Sequence, residues 1–131
     1  MSIRFAVLML GFAFSGAAWA ADSDGDGVED DVDACPMDDA SGHDLYVDGC
    51  VDTLSDYEPY LESLGLDPDA EDVLVVFARA AARAMADGHA FVSIVNLHAS
   101  QDVARALADD RAMTPRQLRA INDFVRALVA M

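Results

Sequence analysis

Five aspartates and a glycine fall on one register between residues 22 and 33. The run Asp22-Ser23-Asp24-Gly25-Asp26-Gly27-Val28-Glu29-Asp30-Asp31-Val32-Asp33 puts carboxylates at positions 1, 3, 5, 9 and 12 of a twelve-residue loop, with glycine at position 6. A hard divalent cation takes roughly six to eight oxygens at about 2.4 Å, and a short loop can surround it only by turning sharply at its sixth residue. Gly27 permits that turn. The expected ligands are the side chains of Asp22, Asp24, Asp26 and Asp33, the carbonyl of Val28, and Asp30 either directly or through a water. Calcium (Ca2+) is the ion this donor set suits. A solvated acidic linker would account for the charge but not for the register.

A helix-flanked calcium loop does not fit. The entering helix would have to be built from the residues ahead of Asp22, which read as a cleaved segment, and Cys35-Pro36 interrupts an exiting helix. Position 8 is Glu29 rather than an apolar residue, and position 12 is Asp33 rather than glutamate. The stretch resembles the thrombospondin type 3 repeat in its form D-x-D-x-D-G-x-x-D-x-x-D-x-C-P, filled here by Asp22, Asp24, Asp26, Gly27, Asp30, Asp33, Cys35 and Pro36. In bacterial members, often linkers in outer-membrane proteins of the OmpA type, a second cysteine follows in a V-D-x-x-G-C context. This chain has the tighter Val47-Asp48-Gly49-Cys50, with Val51 where proline is common. The resemblance covers residues 22–50. It implies structural calcium binding and an adhesion, matrix or cell-surface setting, with Asp38, Asp39, Asp44, Asp48 and Asp52 as candidates for a second ion.

The surrounding elements bear on compartment. Met1 to Ala21 has one charge (Arg4), an apolar run from Phe5 to Phe14 and an Ala18-Trp19-Ala20 ending, the pattern of a secretory signal peptide cleaved after Ala20. That apolar stretch is short for the roughly 20 residues a bilayer needs, so no membrane span is expected after cleavage. Export makes a Cys35–Cys50 disulfide the expected state of the two cysteines, worth roughly 3 kcal/mol in the chain-entropy picture. His43, His89 and His98 have no zinc-site spacing relative to them. The destination is the periplasm, the outer envelope or the exterior.

Charge divides the chain. The 131 residues carry a formal charge of −16, and all eight basic residues are arginines. Residues 22–72 hold 19 of the 24 acids and no Lys or Arg, while residues 73–131 hold 5 acids and 7 arginines. A polybasic footprint cannot be assembled from this composition, which excludes nucleic acid as a partner.

The predicted fold class is mainly α: a signal peptide (1–20), an irregular, disulfide-closed calcium-binding arm (21–52) and a small four- to five-helix domain (53–131). The first helix is expected over Asp56 to Leu64, stopped by Gly65, and the second from the Asp67-Pro68 cap to about Ala86, ahead of Gly88. His89 to Asp110 reads as two short helices broken near Ser100. Thr114-Pro115-Arg116-Gln117 is a capping box opening the last helix, with an apolar stripe of Leu118, Ile121, Phe124 or Val125, and Leu128. No period of 20 to 50 residues is apparent.

No nucleophile elbow, phosphate loop, dinucleotide fingerprint or zincin motif occurs. Ser93, Asn96, His98 and Ser100 lack a paired acid, and Met85, Met113 and Met131 read as core or terminal residues. The expected function is therefore an exported calcium-binding structural or adhesion-type protein without enzymatic activity. An envelope or extracellular protein partner is expected on the C-terminal helix. The alternative is a small-ligand carrier or enzyme in the helical domain, with the arm as a stalk.

Overall fold

The computed structural model describes residues 21–130. The expected signal segment, 1–20, lies outside the described residues. Four helices follow the arm: α1 (Tyr57–Ser63), α2 (Pro68–Ala86), α3 (Ala90–Asp109) and α4 (Pro115–Ala130). There is no strand among the described residues, and no helix among them is long and apolar enough to cross a membrane.

Local chemistry sets most of the boundaries. Asp67 is extended (φ −62°, ψ 138°) and accepts from the Asp69 N–H at 3.1 Å, with Pro68 as the first helical residue of α2. Gly88 (φ 78°) closes that helix, its N–H reaching Met85 O while the N–H of His89 reaches Ala84 O. The same paired bonds end α3, from Arg111 to Ala108 O and from Ala112 to Leu107 O, but here an arginine holds the left-handed position at φ 63°. At α4 the capping box forms in both directions: Gln117 N–H donates to Thr114 Oγ1 (3.3 Å) and Thr114 N–H to Gln117 Oε1 (2.9 Å). Gln117 also donates to the carbonyls of Leu64 and Gly65, tying the start of α4 to the end of α1.

The expected break in α3 does not occur. Ser93, Leu97, Ser100 and Ala104 share one buried face of a continuous helix, at the spacing of residues that lie above one another. They pack mainly on α2, whose buried face is lined largely by small residues: Ala70, Ala78, Ala81 and Ala84 with Leu74 and Val75. The apolar run that resembles a strand, Phe91 to Val95, instead leaves Phe91, Val92 and Val95 exposed on the outer side of α3. Ser100 does not cap a helix. Its hydroxyl lies 2.6 Å from the Tyr57 hydroxyl in the interior.

That hydrogen bond stands beside an aromatic stack. Phe124 stacks with Tyr57 (centroids 5.5 Å apart) and with Tyr60 (4.2 Å), both nearly parallel to it. Leu61, Leu74, Ile121 and Val125 complete the fully buried set of large side chains, each contributing roughly 1.5–3 kcal/mol on burial. The α4 stripe is thus used inside the domain, with Leu118 and Leu128 half-buried at its ends. Across the surface, Glu58 and Arg79 pair α1 with α2 through both carboxylate oxygens, and the guanidinium holds the Glu58 carboxyl below its usual range.

Burial pushes the Tyr57 hydroxyl up to about 12 from the ordinary value of 10. Its folded-state value is raised, so the stability it contributes is complete below pH 10 and is lost as pH climbs towards 12. Tyr57→Phe should flatten that decline by roughly 2–3 kcal/mol in urea melts taken between pH 10 and 12. Arg111→Gly should raise stability by about 1 kcal/mol by relieving the left-handed strain. Thermal unfolding at pH 7 checks it, and an unchanged or lower melting temperature would contradict this reading of the turn.

Candidate metal centre

Residues 21–52 form neither helix nor strand, so their backbone N–H groups must find other acceptors. Aspartate side chains supply them. Asp22 accepts from the N–H groups of Gly25 (2.7 Å) and Gly27 (3.2 Å), Asp24 from Asp26 (3.2 Å), Asp26 from Val28 (2.8 Å) and Asp33 from Cys35 (2.6 Å). Gly27, at φ 102°, makes the turn expected of it. These short-range bonds fold the loop and turn the carboxylates inward.

Carboxylate oxygens of Asp22, Asp24 and Asp26 all lie within 4.8 Å of one another. That spacing matches a calcium coordination sphere, whose ligands sit at about 2.3–2.6 Å from the ion and so no more than about 5 Å apart. The second oxygens of Asp24, Asp26 and Asp33 are buried without any hydrogen-bond partner. Desolvation pushes the Asp24 carboxyl above its usual range, and the charges of Asp26, Asp33 and Asp22 push the same way. Anionic oxygens as close as those of Asp22, Asp24 and Asp26 repel, and a hard dication is the complement that donor set fits.

The six expected ligands are not all gathered. Asp22, Asp24 and Asp26 form the cluster. Val28 is half-buried, its N–H held by Asp26. Asp30 spends both carboxylate oxygens on Ser23, accepting from its N–H and its hydroxyl at 2.7 Å each, and so closes the loop from behind. Asp33 stands outside the three-residue group and reaches across to Gly49. Glu29 is exposed.

The hydrogen bonds show a repeat, with a period of twenty-two residues that is not apparent in the amino-acid pattern. Asp44 accepts from Val47 and Gly49 as Asp22 does from Gly25 and Gly27; Asp48 accepts from Cys50 as Asp26 does from Val28. Asp52 accepts from Leu45 as Asp30 does from Ser23. The backbone bond from Asp30 to Ala21 recurs between Asp52 and His43, at 2.7 Å in both cases. Each residue is twenty-two positions beyond its counterpart. Four of the nine aligned positions are identical: Asp22 and Asp44, Asp26 and Asp48, Gly27 and Gly49, Asp30 and Asp52. The paired Asp-Gly steps are the sequence signal of this repeat.

The second loop lacks the chemistry of the first. Tyr46 replaces Asp24, and both oxygens of Asp44 and of Asp52 are taken by backbone N–H groups. Asp39 is held by Ser41, which keeps its carboxyl below the usual range. Among the described residues, the one cluster of carboxylates close enough for an ion is that of Asp22, Asp24 and Asp26. Ser93, Asn96, His98 and Ser100 do not converge either: Asn96 bonds Val92 O and His98 pairs with Gln101, both on the outside of α3.

The disulfide Cys35–Cys50, with Cα atoms 5.2 Å apart, joins the end of the first loop to the second. Ala34 N–H bonds Asp48 O beside it. Gly49 is buried at φ 81°, and a Cβ there would fall 1.9 Å from Asp33 Oδ1. Gly49→Ala should therefore destabilise the arm by about 1–3 kcal/mol more than Gly42→Ala, where φ is 77° but nothing lies within 4 Å. Protease sensitivity of the arm in the two variants measures this, and equal sensitivity would show that Asp33 does not press on Gly49. No protein-family model, curated protein or solved structure matches the chain.

Proposed function

We propose that residues 22–33 hold a structural calcium ion that orders a disulfide-closed arm on a helical domain, in a protein exported to the envelope or the exterior. The observation that carries this reading is the convergence of the Asp22, Asp24 and Asp26 carboxylates, with one oxygen of Asp24 and one of Asp26 buried without a partner. Asp22, Asp24 and Asp26 would hold the ion, with Asp33 and the Val28 carbonyl as the remaining protein donors. Asp30 acts through Ser23 by fixing the loop's closure. The Cys35–Cys50 disulfide supports export, because such bonds persist in oxidising compartments. The resemblance of residues 22–50 to the thrombospondin type 3 repeat supports the structural, non-enzymatic role.

Binding and local ordering are a single event in this arrangement, because the ion removes the repulsion that opposes the folded loop. Affinity should be modest, about 10⁻⁴ to 10⁻³ M, as in extracellular modules. Asp24→Asn and Asp26→Asn should each weaken binding at least about tenfold, while Glu29→Gln leaves it within about twofold. Reduction of the disulfide should weaken binding less than either aspartate change, since it frees only the downstream flank. Calorimetric titration, read beside proteolysis of the arm, is the test. No heat and no protection at millimolar calcium would end the assignment.

A further inference from the structure

A cavity of about 510 Å³ lies where the exit of the arm meets the helices, and none of the calcium chemistry uses it. Its walls are Val51 and Leu54 from the arm's end, Met85 from the end of α2, Ile94 and Leu97 from α3, and Leu128 from α4. The volume falls in the range of small-molecule sites, which are mostly apolar with a few placed polar groups.

One such group is present. Ser93 lines the cavity, is fully buried, and its hydroxyl has no hydrogen-bond partner. Ser100, two turns further along the same face of α3, is equally buried but paired with Tyr57. A buried hydroxyl left unpaired is costly, so the contrast between the two serines marks Ser93 as the group a ligand would complete.

The charge of the walls narrows the ligand. No Arg, Lys or His lines the cavity, and its single ionisable residue is Asp52, whose two oxygens are occupied by the N–H groups of Leu45 and Tyr46. A carboxylate or phosphate would meet a like charge and no counter-ion. We propose that this junction cavity binds a neutral amphiphile, an apolar chain carrying one hydroxyl, ester or amide oxygen, with Ser93 Oγ bonding that oxygen and the aliphatic walls taking the chain. The site is assembled from both halves of the molecule, the arm supplying one wall and the helices the others.

1-Decanol is the probe, titrated into the purified protein and followed by methyl NMR. The Ile94 methyl should shift saturably at one equivalent while Ile121, fully buried in the aromatic core, stays in place. Ser93→Ala should weaken decanol about three- to tenfold without lowering stability, since it removes an unpartnered hydroxyl. Decanoate at pH 8 should bind at least about tenfold more weakly than decanol. Val51→Trp, at a rim position already 39% exposed and so tolerant of change, should block both. Absence of a saturable Ile94 shift, decanoate binding as tightly as decanol, or Ser93→Ala and Val51→Trp binding like the parent would each overturn the proposal.

Discussion

The constraint on which this molecule depends is the satisfaction of backbone N–H groups in a stretch with no helix or strand. Between Ala21 and Asp52, aspartate carboxylates do what a ladder of carbonyls does elsewhere, each bonding N–H groups two to seven residues away. A carboxylate has two oxygens, and in Asp24, Asp26 and Asp33 only one is needed for the turn. The other is buried and unpaired. The bonds that fold the loop therefore create its electrostatic problem, since they bring the Asp22, Asp24 and Asp26 carboxylates together. Nine of the twelve acids in residues 21–52 accept backbone N–H groups in this way, so much of the arm's negative charge follows from how its loops are built.

The helical part solves a different problem with less polar material. Small residues along α2 and the serines of α3 let those two helices approach closely, and the large volume is supplied by Tyr57, Tyr60 and Phe124 at one end. A buried serine hydroxyl is costly unless it is met, and of the two on this face only that of Ser100 has a partner. Tyr57 meets one of them, which links α1 to the middle of α3 across the core. The arm is joined to this core through Tyr46, which packs against it, and through Asp52, almost fully buried while bonding two N–H groups of its own loop.

Features carried by local chemistry are legible in the sequence. The starts of α2 and α4 are written in Asp67-Pro68 and in Thr114 with Gln117, and the turn at Gly27 follows from its place among the aspartates. Features decided by tertiary context are not. Ser100 looks like a break because serine competes for backbone bonds, and only the distant Tyr57 makes it a core residue. Asp30 fits the ligand register as well as Asp26 does, yet Ser23 captures it. The second loop escapes notice because what recurs is a pattern of hydrogen bonds, carried by few identical residues and interrupted by Tyr46 and Val47.

The difference between the two loops shows how one backbone scaffold serves two ends. Asp24 and Tyr46 occupy equivalent positions, flanked by equivalent carboxylate bonds. In the first loop the side chain is an oxygen donor close to two other carboxylates. In the second it is an aromatic ring packed on the helical core; Asp44 and Asp52 have both oxygens engaged by N–H groups, and no carboxylate oxygen of this loop is buried without a partner. The second loop also holds Val47 at φ 62° where the first has glycine, a conformation costly for a β-branched residue. Burial of Tyr46 and closure of Cys35–Cys50 are the interactions available to offset that strain. At the one position the two loops therefore differ in kind: a carboxylate close to two others in the first, and an aromatic ring seated on the hydrophobic core in the second.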